Sequence, residues 1–183
     1  MMMRTLTDYN RGDSMKLIQA NIQQLDVIMN IIEDGRIALK NLGIDQWQGE
    51  YPAIDNITDD IHRGISYLLV DDDQYVATVA VDPHGEAVYD TIEKGSWASD
   101  EPYITVHRMA VSLATANKGV GTHLLTALEQ LAKELQFSQI RLDTHERNIV
   151  MQRVAEKNNY RYAGIVNYGE DVDFDCVAYD KSF

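Results

Sequence analysis

The sequence predicts a single α/β domain built on a mixed sheet. Three observations carry this. Apolar spacing alternates between strand and helix periods in the order β α α β β β α β α β β. A β-rich run at 103–111 feeds through a glycine turn into an amphipathic helix. No internal repeat, low-complexity tract or linker divides the 183 residues, a length that suits one domain with a sizeable core.

Residues 1–14 show no periodicity and read as a flexible leader or vector remnant, so the domain is expected over 15–183, opening with the strand "MKLIQA". Asn21 is an N-cap candidate. After it Ile22, Leu25, Ile28, Met29, Ile32, Leu39 and Leu42 recur at three and four residues, and Gly43 stands as a C′ stop, which predicts a long amphipathic helix. "GIDQWQGEYP" reads as a loop carrying two aromatics, and "NITDDIHRG" as a short capped helix ending at Gly64. "SYLLV" and "QYVATVAV" flank "DDD" as an antiparallel hairpin. Residues 82–102 form a polar connection longer than those usual inside compact domains, either functional or a surface excursion. "YITVHRMAV" is a strand. From Gly119 to Gln136 a helix places Val120, Leu124, Leu125, Leu128, Leu131, Ala132 and Leu135 on one face. "SQIRLDT" is the next strand, "NIVMQRVAEKNN" a helix, "YRYAGIV" a strand and "DVDFDCVAYD" a last alternating strand. In that strand Cys176 shares a face with Phe174 and Ala178, the pattern of a core residue.

Composition excludes several function classes. The net charge of −13, from 29 acids against 16 bases with no Lys/Arg block, argues against nucleic acid or an anionic membrane as partner. The acidity either suits a cationic substrate such as an amine or confers solubility alone. There is no unbroken apolar run of spanning length, and the N-terminal stretch lacks the apolar core of a signal peptide, so a cytoplasmic protein is expected. One cysteine forms no internal disulfide, and no Cys/His cluster has ligand spacing, so no metal is expected. A homodimer is the common soluble assembly and is possible here.

The stretch "VSLATANKGVGTHLL" holds Gly119 and Gly121 at the first turn of a helix, with Lys118 beside them. Exposed N–H groups and the macrodipole make such a turn an anion site, and glycine lets the anion approach closely. A P-loop spacing is missing, and Leu124 stands where a dinucleotide fingerprint needs its third glycine. What remains is a generic pyrophosphate cradle or a structural turn.

"HRMAV" followed by "ANKGVG", and then "IRLDTHERNIVMQRVAEKNNYRYAGIV", resemble the GCN5-related N-acetyltransferase (GNAT) family: its strand ending in an "LAV"-like triplet, its [Q/R]-x-x-G-x-[G/A] helix start, and its following strand, Asn-initiated helix and "GF" strand. The resemblance runs over roughly residues 15–180. It implies a three-layer fold with a mixed, mostly antiparallel central sheet flanked by helices, and acetyl-CoA as co-substrate. By the same resemblance the backbone of Met109 and Val111 pairs with the pantetheine arm. The amides of Asn117, Lys118, Gly119, Val120, Gly121 and Thr122 hold the pyrophosphate, and Asn148 bonds the arm. Two positions depart from the family. Ala116 stands where Gln or Arg is usual, with Lys118 as a substitute, and Ala155 where many members carry a tyrosine general acid; the "GF" pair is Asn159-Tyr160.

The resemblance implies acetyl transfer to a small amine by direct attack, or to a peptide N-terminus or lysine; Ala116 and Ala155 motivate the alternative of a catalytically silent CoA-binding module. Such a transfer needs a proton acceptor for the amine, donors for the developing oxyanion and a proton for the thiolate. His107, ahead of "RMAV", is the base candidate, titrates near neutrality, and by strand alternation shares a side with Met109 and Val111; a structural histidine is the other reading. His145 and Glu146, after "IRLDT", are candidates to bind a cationic amine or relay a proton, with Glu146 otherwise a first-turn carboxylate of the next helix. Asp143 is a substrate anchor or a strand-end group. Trp47, Gln48 and Tyr51 match the family's acceptor wall, or cover the core edge. Tyr160 and Tyr162 alternate, so one is expected inward.

Overall fold

The structure, a computed structural model, describes residues 15–116, 118–169 and 175–183. The expected leader at 1–14, Asn117 and Phe174 lie outside the described residues. Strands β1 (Met15–Gln19), β2 (Ser66–Asp71), β3 (Gln74–Asp82), β4 (Tyr103–Val111), β5 (Gln139–His145), β6 (Arg161–Val166) and β7 (Cys176–Ser182) form one sheet in the order β1-β2-β3-β4-β5-β7-β6. Every neighbouring pair is antiparallel except β4 and β5. Helices α1 (Leu25–Asn41), α2 (Ile54–His62), α3 (Val120–Glu134) and α4 (Ile149–Lys157) complete the order read from the apolar spacing.

Helix starts differ in detail from the sequence reading. Asn21 accepts from the Gln23 N–H, but the cap opens a 3₁₀ turn at Ile22–Gln24 before α1. The second helix begins at Ile54, ahead of Asn56, because Asn56 Oδ1 reaches back to accept from the Ala53 N–H and satisfies an orphan donor from inside the first turn. The last helix residue of the glycine-started helix is Glu134, and Gly119 caps it with φ +78, a left-handed conformation that favours glycine.

The sheet is covered on both faces. Leu124, Leu125 and Leu128 of α3 bury against Val79, Ile104, Val106 and Leu142 on one side. On the other, Ile28, Ile32, Ile57 and Ile61 of α1 and α2 meet Leu68 and Ala110. Each of these leucines, isoleucines and valines contributes roughly 1.5–3 kcal/mol by leaving water. The 82–102 connection extends this second layer over β6 and β7. Its 3₁₀ turn (Ala87–Thr91) buries Tyr89 with Ala163, Val166, Cys176 and Ala178. Trp97 Nε1 donates to the Tyr89 carbonyl at 2.8 Å, Glu93 and Ile165 exchange two backbone hydrogen bonds, and the Arg141 guanidinium lies over both the Trp97 and Tyr103 rings. A Cβ on Gly95 would stand 1.9 Å from the Ala163 carbonyl oxygen, so the connection sits directly on the sheet edge.

Two irregularities in β4 create the site. Thr78 pairs with Ala110 and Ala80 with His107, so Arg108 and Met109 together oppose Val79 in a β-bulge, with Arg108 at φ +51. The extra residue reverses the alternation. His107 therefore shares the face of Ala80, whereas Met109 and Val111 turn to the α3 side with Val106. The expectation that His107, Met109 and Val111 share one side is overturned by this bulge. Secondly, β4 pairs with β5 only from Tyr103 to Val106; beyond Leu142 the two strands part.

Candidate active site

Where β4 and β5 separate, a cavity of about 1070 Å³ opens through the sheet. One end belongs to α3 and α4. Met109 and Val111 of β4, Gly119, Val120, Gly121 and Thr122 of the helix start, and Asn148 of α4 line it. The first intrahelical bond there runs from the His123 N–H to the Gly119 carbonyl, which leaves the Val120, Gly121 and Thr122 N–H groups ahead of it for an anion. A Cβ on Gly121 would lie 3.4 Å from Val154 and 3.5 Å from Met109, so glycine keeps the turn close to both walls. Exposed Leu113 and Val150 give this end an apolar rim.

The other end is built by α1, the loop after it, and the 82–102 connection. Arg36 donates to the carbonyls of Trp47, Gly49 and Pro52 and so holds the loop as a wall. Trp47 lies against Gly35 and Ala110, and Tyr51 Oη accepts from Arg108 Nη1 at 2.8 Å. Arg108 also grips Asp60 with two bonds of 2.7 Å; their side chains are 15% and 4% exposed, so the pair is withdrawn from water. Behind it Arg63 pairs with Asp82. His107 faces Glu86, Nε2 to Oε2 3.4 Å. On β5, Asp143 Oδ1 accepts from the Tyr89 hydroxyl at 2.6 Å and from the Tyr168 hydroxyl at 2.9 Å. Burial lowers the His107 pKa below its ordinary value; Asp143 pulls upward, Arg108 downward, and Glu86 and Asp82 upward. The net direction is down, which favours the uncharged imidazole with a lone pair on one ring nitrogen.

The family model for the GNAT acetyltransferases matches residues 36–160. A crystal structure of a GNAT-family acetyltransferase from Streptococcus agalactiae 2603 is 34% identical, with 92% of this chain and 95% of that chain covered at a TM-score of 0.84. The chain belongs to the GNAT acetyltransferase family. A GNAT-family structure from Listeria monocytogenes 4b F2365 is 19% identical (TM-score 0.71; 92% and 95% covered) and shares the fold. So does the PaiA N-acetyltransferase of Thermoplasma acidophilum, solved in complex with coenzyme A, at 16% identity (TM-score 0.67; 93% and 99% covered). No curated protein sequence matches. As a GNAT acetyltransferase the protein is an acyl-transfer enzyme that draws on CoA. Among the described residues no helix is long and apolar enough to cross a membrane.

The cavity gathers most of the residues expected from the sequence: Met109, Val111, Gly119 through Thr122, Asn148, His107, Trp47, Tyr51 and Asp143 all line it. Four described candidates do not. Lys118 is exposed beside the helix start and off the cavity wall. Gln48 turns to α1, where Nε2 donates to the Arg36 carbonyl. His145 is buried as the last residue of β5, its Nδ1 accepting from the Arg147 N–H. Glu146 is exposed and precedes the N-cap Asn148, so it is neither at the cavity nor in the first turn of α4. Both lie off the wall because β5 extends one residue beyond "IRLDT" and the chain then turns immediately into the cap. Asn148 itself uses Oδ1 to accept from the Met151 N–H and donates Nδ2 to Thr144, a fixed helix start whose remaining surface faces the cavity.

Ala155 is a fully buried core residue, Tyr160 is buried with its hydroxyl unpartnered, and Tyr162 is exposed on β6; none lines the cavity. Cys176 is 1% exposed and burial pushes its thiol up, in keeping with a core role. Sequence reasoning missed Glu86, Tyr89, Tyr168, Arg108 and Asp60. The length of the 82–102 connection was the one signal for the first two; Tyr168 reaches the cavity through tertiary placement alone.

Two tests concern the walls. Asp60→Ala leaves the Arg108 guanidinium without its buried carboxylate, and urea unfolding should register a loss of about 3–5 kcal/mol. Gly35→Ala introduces a Cβ 2.9 Å from Trp47 Cζ3 and 3.1 Å from Ala110 Cβ. The indole must move, so, on the sequence expectation that Trp47 contacts the acceptor, the acceptor KM should change several-fold while CoA affinity holds, at a stability cost of roughly 1–3 kcal/mol; an unchanged KM would rule that contact out.

Proposed function

We propose that the protein is an acetyl-CoA-dependent N-acetyltransferase whose acceptor is a small amine that attacks directly. The observation that carries this reading is His107, an imidazole set among Asp82, Glu86 and Asp143 on the face of the sheet opposite the α3 helix start, with the parted strands between them. The donor end fits acetyl-CoA: N–H groups free for a pyrophosphate, a glycine in the first turn with no side chain over them, and β4 backbone at Met109 and Val111 that has no β5 partner. The Thermoplasma relative bound to coenzyme A shares this fold and supports the assignment. Bound acetyl-CoA supplies the activated acetyl thioester.

The chain's own residues supply position and proton transfer. Val120, Gly121 and Thr122 receive negative charge on their N–H groups, which cost no reorganisation because the helix already presents them. The acidic acceptor end attracts an ammonium by charge, and Asp143, its Oδ1 held by two phenols, is one of the fixed carboxylates there. His107 takes the proton that must leave before nitrogen can attack. Neither a cysteine nor a serine nucleophile is called for, in agreement with the protonated, buried Cys176. The test is to mix the protein with acetyl-CoA and a panel of amines, following free thiol beside calorimetric CoA binding. Turnover with a small amine is expected. CoA binding without turnover on any acceptor would make the protein a silent CoA module, turnover only on peptides would move the acceptor class, and absence of CoA binding would end the proposal.

A further inference from the structure

The 82–102 connection does more than cover β6 and β7. It delivers Glu86 to His107, and it holds it there. The Glu86 carbonyl accepts from the N–H of the fully buried Tyr89, its own N–H points at the Tyr103 hydroxyl at 3.5 Å, and the segment beyond is tied to the sheet through Glu93 and Ile165. Side-chain exposures of 16% for His107 and 29% for Glu86 put the 3.4 Å contact, an ion-pair distance longer than a formed hydrogen bond, largely out of bulk water, where the carboxylate acts strongly on the imidazolium once the ring takes a proton. The other charged groups facing the imidazole are otherwise engaged. Asp82, at the end of β3, holds Arg63 and the His84 N–H; Asp143, on β5, accepts from Tyr89 and Tyr168; Arg108, next to it on β4, is held by Asp60 and Tyr51. Glu86 is the carboxylate in contact with a ring nitrogen.

We infer that Glu86 is the positioning residue of His107: it accepts the Nε2–H, so that Nδ1 carries the lone pair that takes the acceptor's proton. The inference rests on the reading of His107 as the base. In the step, an N–H bond of the acceptor ammonium breaks and an Nδ1–H bond forms, the nitrogen keeps the electron pair for attack, and the Nε2–H of the resulting imidazolium stays on the Glu86 carboxylate. Holding one tautomer matters because the two ring nitrogens are not equivalent, and the partner of one determines which proton the other lacks. A carboxylate beside the ring also favours the charged form that the transfer creates.

The test uses the intact protein labelled with ¹⁵N-histidine, the His107 resonances being assigned by their loss in H107A. Wild type should show the Nε2–H tautomer above its titration. Glu86→Gln keeps an acceptor oxygen but removes the charge: the tautomer should persist, the His107 pKa should fall, and the acid limb of kcat/KM, which rises as the base deprotonates, should move to lower pH. Glu86→Ala should lose the tautomer preference and lower kcat roughly tenfold or more, within the 10²–10⁴-fold that a positioned base contributes, with CoA affinity unchanged. An Nδ1–H tautomer in wild type, or a tautomer and pKa indifferent to both substitutions, would overturn the pairing. Full turnover in H107A would instead overturn the base reading beneath it, whatever the tautomer.

Discussion

His107→Ala is expected to lower kcat by roughly 10²–10⁴-fold while leaving CoA affinity intact, measured by thiol release and by calorimetry on the same preparation. The expectation follows from place and state. The bulge at Arg108 puts His107 on the face of the sheet opposite Met109, Val111 and the α3 helix start, so its removal touches no group at that start. Burial holds its pKa below the ordinary value, which favours the uncharged ring that a base must offer. Below that pKa the imidazole charges and the rate falls, so the wild-type kcat/KM should decline on the acid side and the alanine variant should lose that limb. An unchanged kcat would assign His107 to structure, and a parallel loss of CoA binding would mean that the two faces are not independent.

Gly121→Ile is expected to weaken CoA binding at least about 30-fold, equivalent to roughly 2 kcal/mol, with helix α3 still formed. A single Cβ at this position already meets Val154 at 3.4 Å and Met109 at 3.5 Å. An isoleucine adds three further carbons to that contact in the first turn, beside the Val120 and Thr122 N–H groups, where its bulk would hinder the anion. Gly121→Ala supplies the control, because one methyl makes ordinary contacts; it should bind CoA nearly as wild type. Equal affinity in the isoleucine variant would remove the pyrophosphate from this turn.

Much of the donor half was legible because it rests on local rules. A strand, an αL glycine and a helix with leucines at three and four residues are written in consecutive residues, and the N–H groups they expose follow from helix geometry alone. The acceptor half is different. Its groups come from α1, the loop after it, the end of β3, the 82–102 connection, β5 and the β6–β7 connection, and no local pattern relates them. Lys118 illustrates the limit from the other side. It is adjacent in sequence to the anion turn, yet the chain leaves it exposed and off the wall. His145 is a similar case, where one extra residue of strand buries the ring, which accepts from the Arg147 N–H.

By itself the sequence determined the order of strands and helices, the family to which the chain belongs and the glycine turn that opens α3, since each depends on spacing within a short window. Only the tertiary structure decided that His107 faces away from Met109 and Val111, and that Glu86, Asp143 and Tyr168 stand on its side. The reason is a parity: one bulged residue between His107 and Ala110 reverses every side chain beyond it, and whether a strand accepts that extra residue is set by its partners in the sheet.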